Sequence, residues 1–144
     1  MFVHTLTVRF RDLDVLNHVN NAVYLTYLEE ARLAFSSEMG IDWSRFQEQG
    51  FVLARCEIDY RHPAVLGDTL HIELSAGEIG RSSFEFHYRI VRAQDARLVA
   101  EARTTQVSFD FRRNRPARTP EAWRAALERH QLNGKSTPPC STGA

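Results

Sequence analysis

The chain has 144 residues, 43% hydrophobic and 25% charged, with 18 basic side chains balancing 18 acidic ones. That length suits one domain with a buried core, and that composition is ordinary for a soluble globular protein. A formal net charge of zero argues against nucleic acid or an anionic membrane as partner, and no apolar run is long enough to span a bilayer.

Val3 to Phe10 alternates, with His4, Leu6, Val8 and Phe10 on one face, and predicts a strand. The loop that follows, Arg11 to Val19, holds Asp12, Asp14 and His18. Asn20 is a suitable N-cap, and Val19 with Tyr24 fits a hydrophobic staple across it. A helix is expected to about Met39, with Gly40 as its stop. Tyr24, Leu28, Ala31, Phe35 and Met39 recur at helical spacing as one apolar stripe. Glu29 and Arg32 lie on another face and are expected to pair across one turn.

Phe51 to Arg61 alternates again, until Pro63 interrupts the ladder. Leu70 to Ala76, Phe84 to Ile90 and Leu98 to Phe111 supply three more strands, with a hairpin loop at Gly77 to Arg81 and a bulge expected near the middle of the last. Thr119 reads as the cap, and Pro120 as the first residue, of a short helix to about Gln131. Residues 133–144 are rich in small residues and proline, and are expected to form a disordered tail after a single domain, 1–132. The order is strand, long helix, four strands in meander, short helix: an α+β, two-layer plan.

Two cysteines, Cys56 and Cys140, make neither a disulfide framework nor a C-x-x-C motif. No signal-peptide pattern opens the chain, so a cytoplasmic protein is the expectation. The six histidines show no ligand spacing, so no metal is expected, and there is no phosphate loop or G-x-S-x-G elbow.

The chemistry concentrates in Phe10 to Arg32, FRDLDVLNHVNNAVYLTYLEEAR. A helix N-terminus has unpaired N–H groups and partial positive charge, so it can polarise a carbonyl oxygen. A carboxylate beside it can act as base or nucleophile on the carbonyl carbon. Asp14 reads either as that carboxylate or as a turn residue bonding its own backbone. Asp12 reads as a structural brace for the loop. His18 reads as a site residue that orients Asp14 or bonds substrate, or as a loop histidine, and Asn20 as a cap that also borders the substrate.

D-x-D-x-x-x-H-V-N-N-x-x-Y followed by E-E-A-R resembles the opening motif of the 4-hydroxybenzoyl-CoA thioesterase family, over roughly Leu6 to Pro120. That resemblance implies the hotdog fold: a five-stranded antiparallel sheet wrapped around one long central helix, here with a short C-terminal helix added. It implies Asp14 as catalytic acid, and Asn21 as the residue whose backbone N–H faces the thioester carbonyl. The H-V-N-N run is also similar to acyl-acyl carrier protein thioesterases. There an Asn stands where this chain has Leu16, which leaves Asn17 or Asn20 to supply any assisting amide. The implied reaction is hydrolysis of an acyl-CoA thioester, with coenzyme A part of the substrate and no cofactor. Tyr24, Arg61 and His62, and the Arg81, Ser82 and Ser83 hairpin, fall where the family meets substrate and coenzyme. The resemblance also implies a homodimer or homotetramer in which each site takes Asp14 from one chain and, from its partner, part of the strand and loop near Val52 to Cys56 and Arg61-His62.

Arg112 to Arg118 holds four arginines in seven residues. It reads as a solvated loop, or as a phosphate site in which Arg113 and Arg115 hold the coenzyme nucleotide. Two rival readings remain. One is a hotdog hydratase or dehydratase of acyl thioesters, whose D-x-N-P-x-x-H signature is unmatched here. The other is a non-catalytic acyl-thioester-binding protein.

Overall fold

The structure is a computed structural model in which residues 1–132 are described; the tail expected at 133–144, with Cys140, lies outside the described residues. In chain order come β1 (Phe2–Thr7), a 3-10 turn (Phe10–Asp12), α1 (Asn21–Ser36), a 3-10 turn (Trp43–Arg45), β2 (Gly50–Tyr60), β3 (Thr69–Ile79), β4 (Ser83–Arg92), β5 (Arg97–Asp110), β6 (Arg115–Pro116) and α2 (Glu121–Arg129).

The stripe on α1 is buried as expected: Tyr24, Leu28, Ala31 and Phe35, with Met39 just beyond. Phe35 meets Phe2 and Phe86 edge to face, at centroid distances of 5.4 and 5.5 Å. Such an aromatic, fully buried, contributes about 1.5–3 kcal/mol. The helix stops at Ser36, short of the expected Met39. The hydroxyls of Ser36 and Ser37 turn back onto the carbonyls of Leu33 and Ala34 at 2.6 and 2.9 Å, and the chain tightens into turns. Gly40, at φ 74°, then reverses the chain where a side chain would be strained.

The sheet is antiparallel and curls around α1 as a half-barrel, the hotdog arrangement. Its order, β1-β3-β4-β5-β2, corrects the expected meander. Only β3, β4 and β5 follow one another. β2 pairs with β5 and β1 with β3, so β1 and β2 are the two edges. Alternation specifies which face of a strand is buried, not which strand lies beside it. The two-residue β6 adds a sixth strand against Phe109 and Asp110.

Three further expectations need correction. The irregularity of β5 falls near its start, where Val99 is skipped between the Ile90–Ala100 and Val91–Leu98 pairs. The freed Val99 carbonyl accepts from the amides of both Arg61 and His62, at 2.8 and 3.1 Å, which fixes the exit of β2. Thr119 does not cap α2, whose N-cap is Pro120; it is buried with its hydroxyl 2.9 Å from that of Ser108. Arg32 does not pair with Glu29. It is 8% exposed and donates to the Tyr88 hydroxyl at 3.2 Å, which in turn bonds Thr104 at 2.6 Å.

Candidate active site

The loop between β1 and α1 is built on Asp12, which is 3% exposed. Its Oδ2 accepts from the Arg9 amide at 3.0 Å and from the Tyr27 hydroxyl at 2.8 Å, while the Arg9 guanidinium reaches Oδ1 at 3.2 Å. Its main-chain oxygen accepts from the Asn20 amide at 2.9 Å. Burial opposes the charge on this carboxyl, but the hydrogen bonds from Arg9 and Tyr27 outweigh it and hold the group below the usual carboxylate range. The same charge, with burial, pushes the Tyr27 phenol well up. Asp12 is the structural brace its position suggests.

Asp14 follows two residues later. Its amide donates to the His18 carbonyl at 2.9 Å, and its carbonyl accepts from Asn17 at 3.0 Å. Asn17 sits at φ 61°, a conformation asparagine tolerates better than most residues. Asp14 Oδ1 accepts from the Leu16 amide at 2.9 Å, a self-made turn that orients the carboxylate. The turn reading and the site reading are therefore compatible: one oxygen is anchored, and Oδ2 has no hydrogen bond among the described residues.

The connection from β2 to β3 underlies the loop. Val19 donates to the Ala64 carbonyl at 2.9 Å, and His18 bridges Val65. Asn20 caps α1, its Oδ1 accepting from Ala22 at 2.9 Å. The Asn21 amide, first of the helix, has no acceptor among the described residues. Tyr24 accepts from the Ala64 amide at 3.3 Å, and its ring meets that of Tyr60 edge to face at 5.3 Å.

A cleft of about 370 Å³ opens over these groups, lined by Asp14, Leu16, His18, Val19, Asn21, Tyr24, Tyr60, Arg61, His62 and Pro63. Six residues singled out from the sequence thus come together within one chain: Asp14, His18, Asn21, Tyr24, Arg61 and His62, so Arg61 and His62, expected to reach the site from a partner, stand on the Asp14 cleft of their own chain. Tyr60 was not among them; alternation puts it on the helix-facing side of β2, but its partner, the Asn21 carbonyl, is 39 residues away. The Arg61 guanidinium pairs with Glu101 and Asp59 at 3.3 and 3.5 Å, so it lies along the strand.

The other candidates stand elsewhere in the chain. Asn20 is not part of the cleft lining. Arg81 and Ser82 form the turn into β4, which Ser83 begins, and Arg113 stands in the turn into β6, which Arg115 begins. The turn into β4 is held to β5 and to the segment after β6: Ser108 donates to the Ser82 carbonyl at 2.8 Å, and Thr119 to that of Arg81 at 2.9 Å. Both turns occupy the Gly50 end of the sheet, while Asp14 lies at the Tyr60 end, the length of β2 or roughly 30 Å away. Arg112 pairs with Glu48 at 3.0 Å and Arg113 with Asp110 at 3.8 Å; Arg81 and Arg115 have no ion pair among the described residues.

A carboxylate oxygen and a helix N-terminus on one cleft are suited to addition at a polarised carbonyl. Among the described residues no helix is long and apolar enough to cross a membrane.

Residues 8–127 match the thioesterase-like superfamily. The long-chain acyl-CoA thioesterase FadM of Escherichia coli is 35% identical over 108 residues, covering 74% of this chain and 82% of that protein. A 1,4-dihydroxy-2-naphthoyl-CoA hydrolase of Synechococcus elongatus is 36% identical over 112 residues, covering 70% and 82%. Among solved structures, a 1,4-dihydroxy-2-naphthoyl-CoA thioesterase from Synechocystis superposes with a TM-score of 0.80 at 25% identity, covering 88% of this chain and 94% of that one.

Proposed function

The chain belongs to the thioesterase-like superfamily, whose named members here are thioester hydrolases, and from that membership we propose that it hydrolyses an acyl-CoA thioester to a carboxylic acid and free coenzyme A. One observation carries the proposal beyond the family: the Asp14 carboxylate and the start of α1 at Asn21 line the same cleft.

In this reading the thioester carbonyl oxygen lies against the Asn21 amide, and Asp14 Oδ2 faces the carbonyl carbon. Asp14 serves as general base for water or as nucleophile. As base it takes the proton of the attacking water, the new C–O bond forms, and the C–S bond breaks as that proton passes to the departing thiolate. As nucleophile its Oδ2 bonds the carbonyl carbon as the C–S bond breaks and the coenzyme A thiolate departs, leaving a mixed anhydride; water then opens the anhydride, restoring the Asp14 carboxylate, and the two water protons end on the released acid and the thiolate. His18 helps to position Asp14 or substrate. No cofactor is required. CoA thioesters are intracellular, so the proposal carries a cytoplasmic location with it.

The active unit is proposed to be a homodimer at least. Among the described residues the outer edge of β2 is unpaired in one chain. Pairing two β2 strands antiparallel about a two-fold axis brings the Gly50 end of one chain to the Tyr60 end of the other. The partner's Arg113 and the partner's Arg115 then approach the cleft that holds Asp14, where a coenzyme phosphate would meet them. The separation of the two groups within one chain supports this arrangement, because neither completes a coenzyme site alone.

The test is release of free thiol from a panel of acyl-CoAs, with an enoyl-CoA included. Thiol release from at least one acyl-CoA, abolished in Asp14→Asn, is the expected result. Hydration of the enoyl-CoA without thiol release would assign the site to a hydratase. Tight binding without turnover would assign it to a binding protein.

A further inference from the structure

Tyr60 is the last residue of β2, on the edge of the sheet, and its side chain leaves the strand toward α1. Its hydroxyl donates to the main-chain carbonyl of Asn21 at 2.8 Å. The ring lies edge to face on Tyr24, and Tyr60, Tyr24 and Asn21 all line the cleft that holds Asp14. From this geometry we infer that Tyr60 is a positioning residue for the reaction, its hydroxyl fixing the first turn of α1 so that the helix N-terminus is held against the substrate carbonyl. The inference rests on the thioesterase reading and assigns Tyr60 a part in it.

The bond acts on one peptide unit from both sides. The Asn21 carbonyl accepts the hydrogen bond of the Tyr60 hydroxyl, while the N–H of the same unit, on Ala22, donates to Asn20 Oδ1 at 2.9 Å. Hydrogen bonds in such a chain polarise and strengthen one another. The first turn of a helix is otherwise its most easily frayed part, since its amides have no intrahelical partners. An oxyanion donor on that turn stabilises a transition state only if it is already in place when charge develops.

Tyr60 can do this because it is itself anchored. The next two amides, Arg61 and His62, both end on the Val99 carbonyl, so the strand cannot slide past the helix at this point. Burial raises the phenol from its ordinary value, which keeps it a donor throughout the neutral range. A purely packing role is a poor account of the residue, because Tyr60 is 47% exposed and its ring could bury itself without the hydroxyl reaching Asn21. The bond also couples an edge strand to the chemistry: whatever covers the free side of β2 steadies the helix start through Tyr60.

The experiment compares Tyr60→Phe with Asp14→Asn and wild type in steady-state acyl-CoA hydrolysis, thermal melting and amide hydrogen exchange. Phenylalanine keeps the ring contact with Tyr24 and removes only the hydroxyl. The expected result is a kcat lower by about 10-fold, less than the ~10²–10³ of deleting an oxyanion donor outright, with KM within about two-fold. The melting temperature should be unchanged within about 2 °C, and exchange of the Ala22 amide in the free protein should quicken. Full kcat in Tyr60→Phe beside an inactive Asp14→Asn would overturn the inference while leaving the thioesterase reading intact. A rate loss that tracks a fall in melting temperature would also overturn it. If wild type turns over no thioester, the parent reading fails. Unchanged Ala22 exchange overturns the clamp whether or not any thioester is turned over.

Discussion

The Tyr27 hydroxyl lies 2.8 Å from Asp12 Oδ2, a hydrogen bond that ties the second turn of α1 to the loop carrying Asp14. It joins residues 15 apart, and with the two Arg9 contacts it satisfies a carboxylate that is nearly sealed from water. Removing one partner leaves the rest of the cluster buried and unpaired, which is costlier than never having built it.

The first prediction follows from that cluster. Asp12→Ala should cost about 3 kcal/mol of stability and Tyr27→Phe about 2 kcal/mol. The folded carboxyl titrates below its unfolded value of ~3.9, so its stabilisation is present above that pH and is lost as pH falls through the lower, folded pKa. Chemical denaturation from pH 7 down to about 2 should show this loss in wild type and a flatter profile in Asp12→Asn. Equal acid sensitivity in both proteins would remove Asp12 from the account.

Asp14→Asn should lower kcat at least ~100-fold, a loss typical of a positioned acid or base. Folding should be almost unaffected, because the asparagine oxygen can still accept from the Leu16 amide that now bonds Oδ1. Thiol-release kinetics beside a melting curve check both halves. Retention of more than half the wild-type rate would sink the assignment.

How far the sequence reached depended on whether a feature is local. The stripe of α1 and the Asn20 cap are set by residues within a few positions of one another, and both could be read directly; the stop could not, because the helix expected to run to Met39, with Gly40 beyond it, ends at Ser36. The gathering of Asp14, His18 and Asn21, which share one loop and helix start, could also be read directly. The place of β2 could not, because its pairs with β5 join residues from 40 apart, at Tyr60 and Ala100, to 59 apart, at Gly50 and Phe109, and alternation is silent on neighbours. Arg32 shows the same limit: nothing nearby signals that its guanidinium turns inward to Tyr88, 56 residues away. Thr119 had the right type and position for a cap, but tertiary contact with Ser108 outweighed that local preference. The bond of Tyr60 to Asn21, 39 residues back, was out of reach for the same reason as that of Arg32 to Tyr88.

Arg113→Ala combined with Arg115→Ala should raise KM for acyl-CoA more than it lowers kcat. A nucleotide held far from the reacting carbon contributes mainly uniform binding. Both side chains are exposed, and Arg113 is only loosely paired with Asp110 at 3.8 Å, so either can turn to a phosphate. Exposed charges are screened, so the wild-type advantage should shrink between low and high salt. A KM unchanged by the double substitution, or independent of salt, would return the cluster to solvated loop.

The last prediction concerns assembly. Wild type should be a dimer at least, probed by light scattering over a dilution series, and activity should fall in step with dissociation. Among the described residues the outer edge of the 11-residue β2 has no strand beside it, a surface that natural sheets cover or blunt. Large apolar side chains are also exposed in one chain: Val15 and Leu16 on the Asp14 loop are 96% and 70% exposed, and Leu25 and Leu33 on α1 are 44% and 49% exposed. Leucines eight residues apart on one helix face would meet each other's counterparts if two α1 helices ran antiparallel, as a two-fold axis through the β2 edge requires. The cleft, too, is open in one chain, and water around Asp14 would weaken every electrostatic contact on which the proposed reaction depends. A second copy would supply wall and coenzyme contacts together. Arg55→Pro, placed mid-edge in β2, should therefore shift the assembly toward monomer and lose activity while keeping the α1 core. A fully active monomer at assay concentration would refute the shared site, and with it the role given to the partner's Arg113.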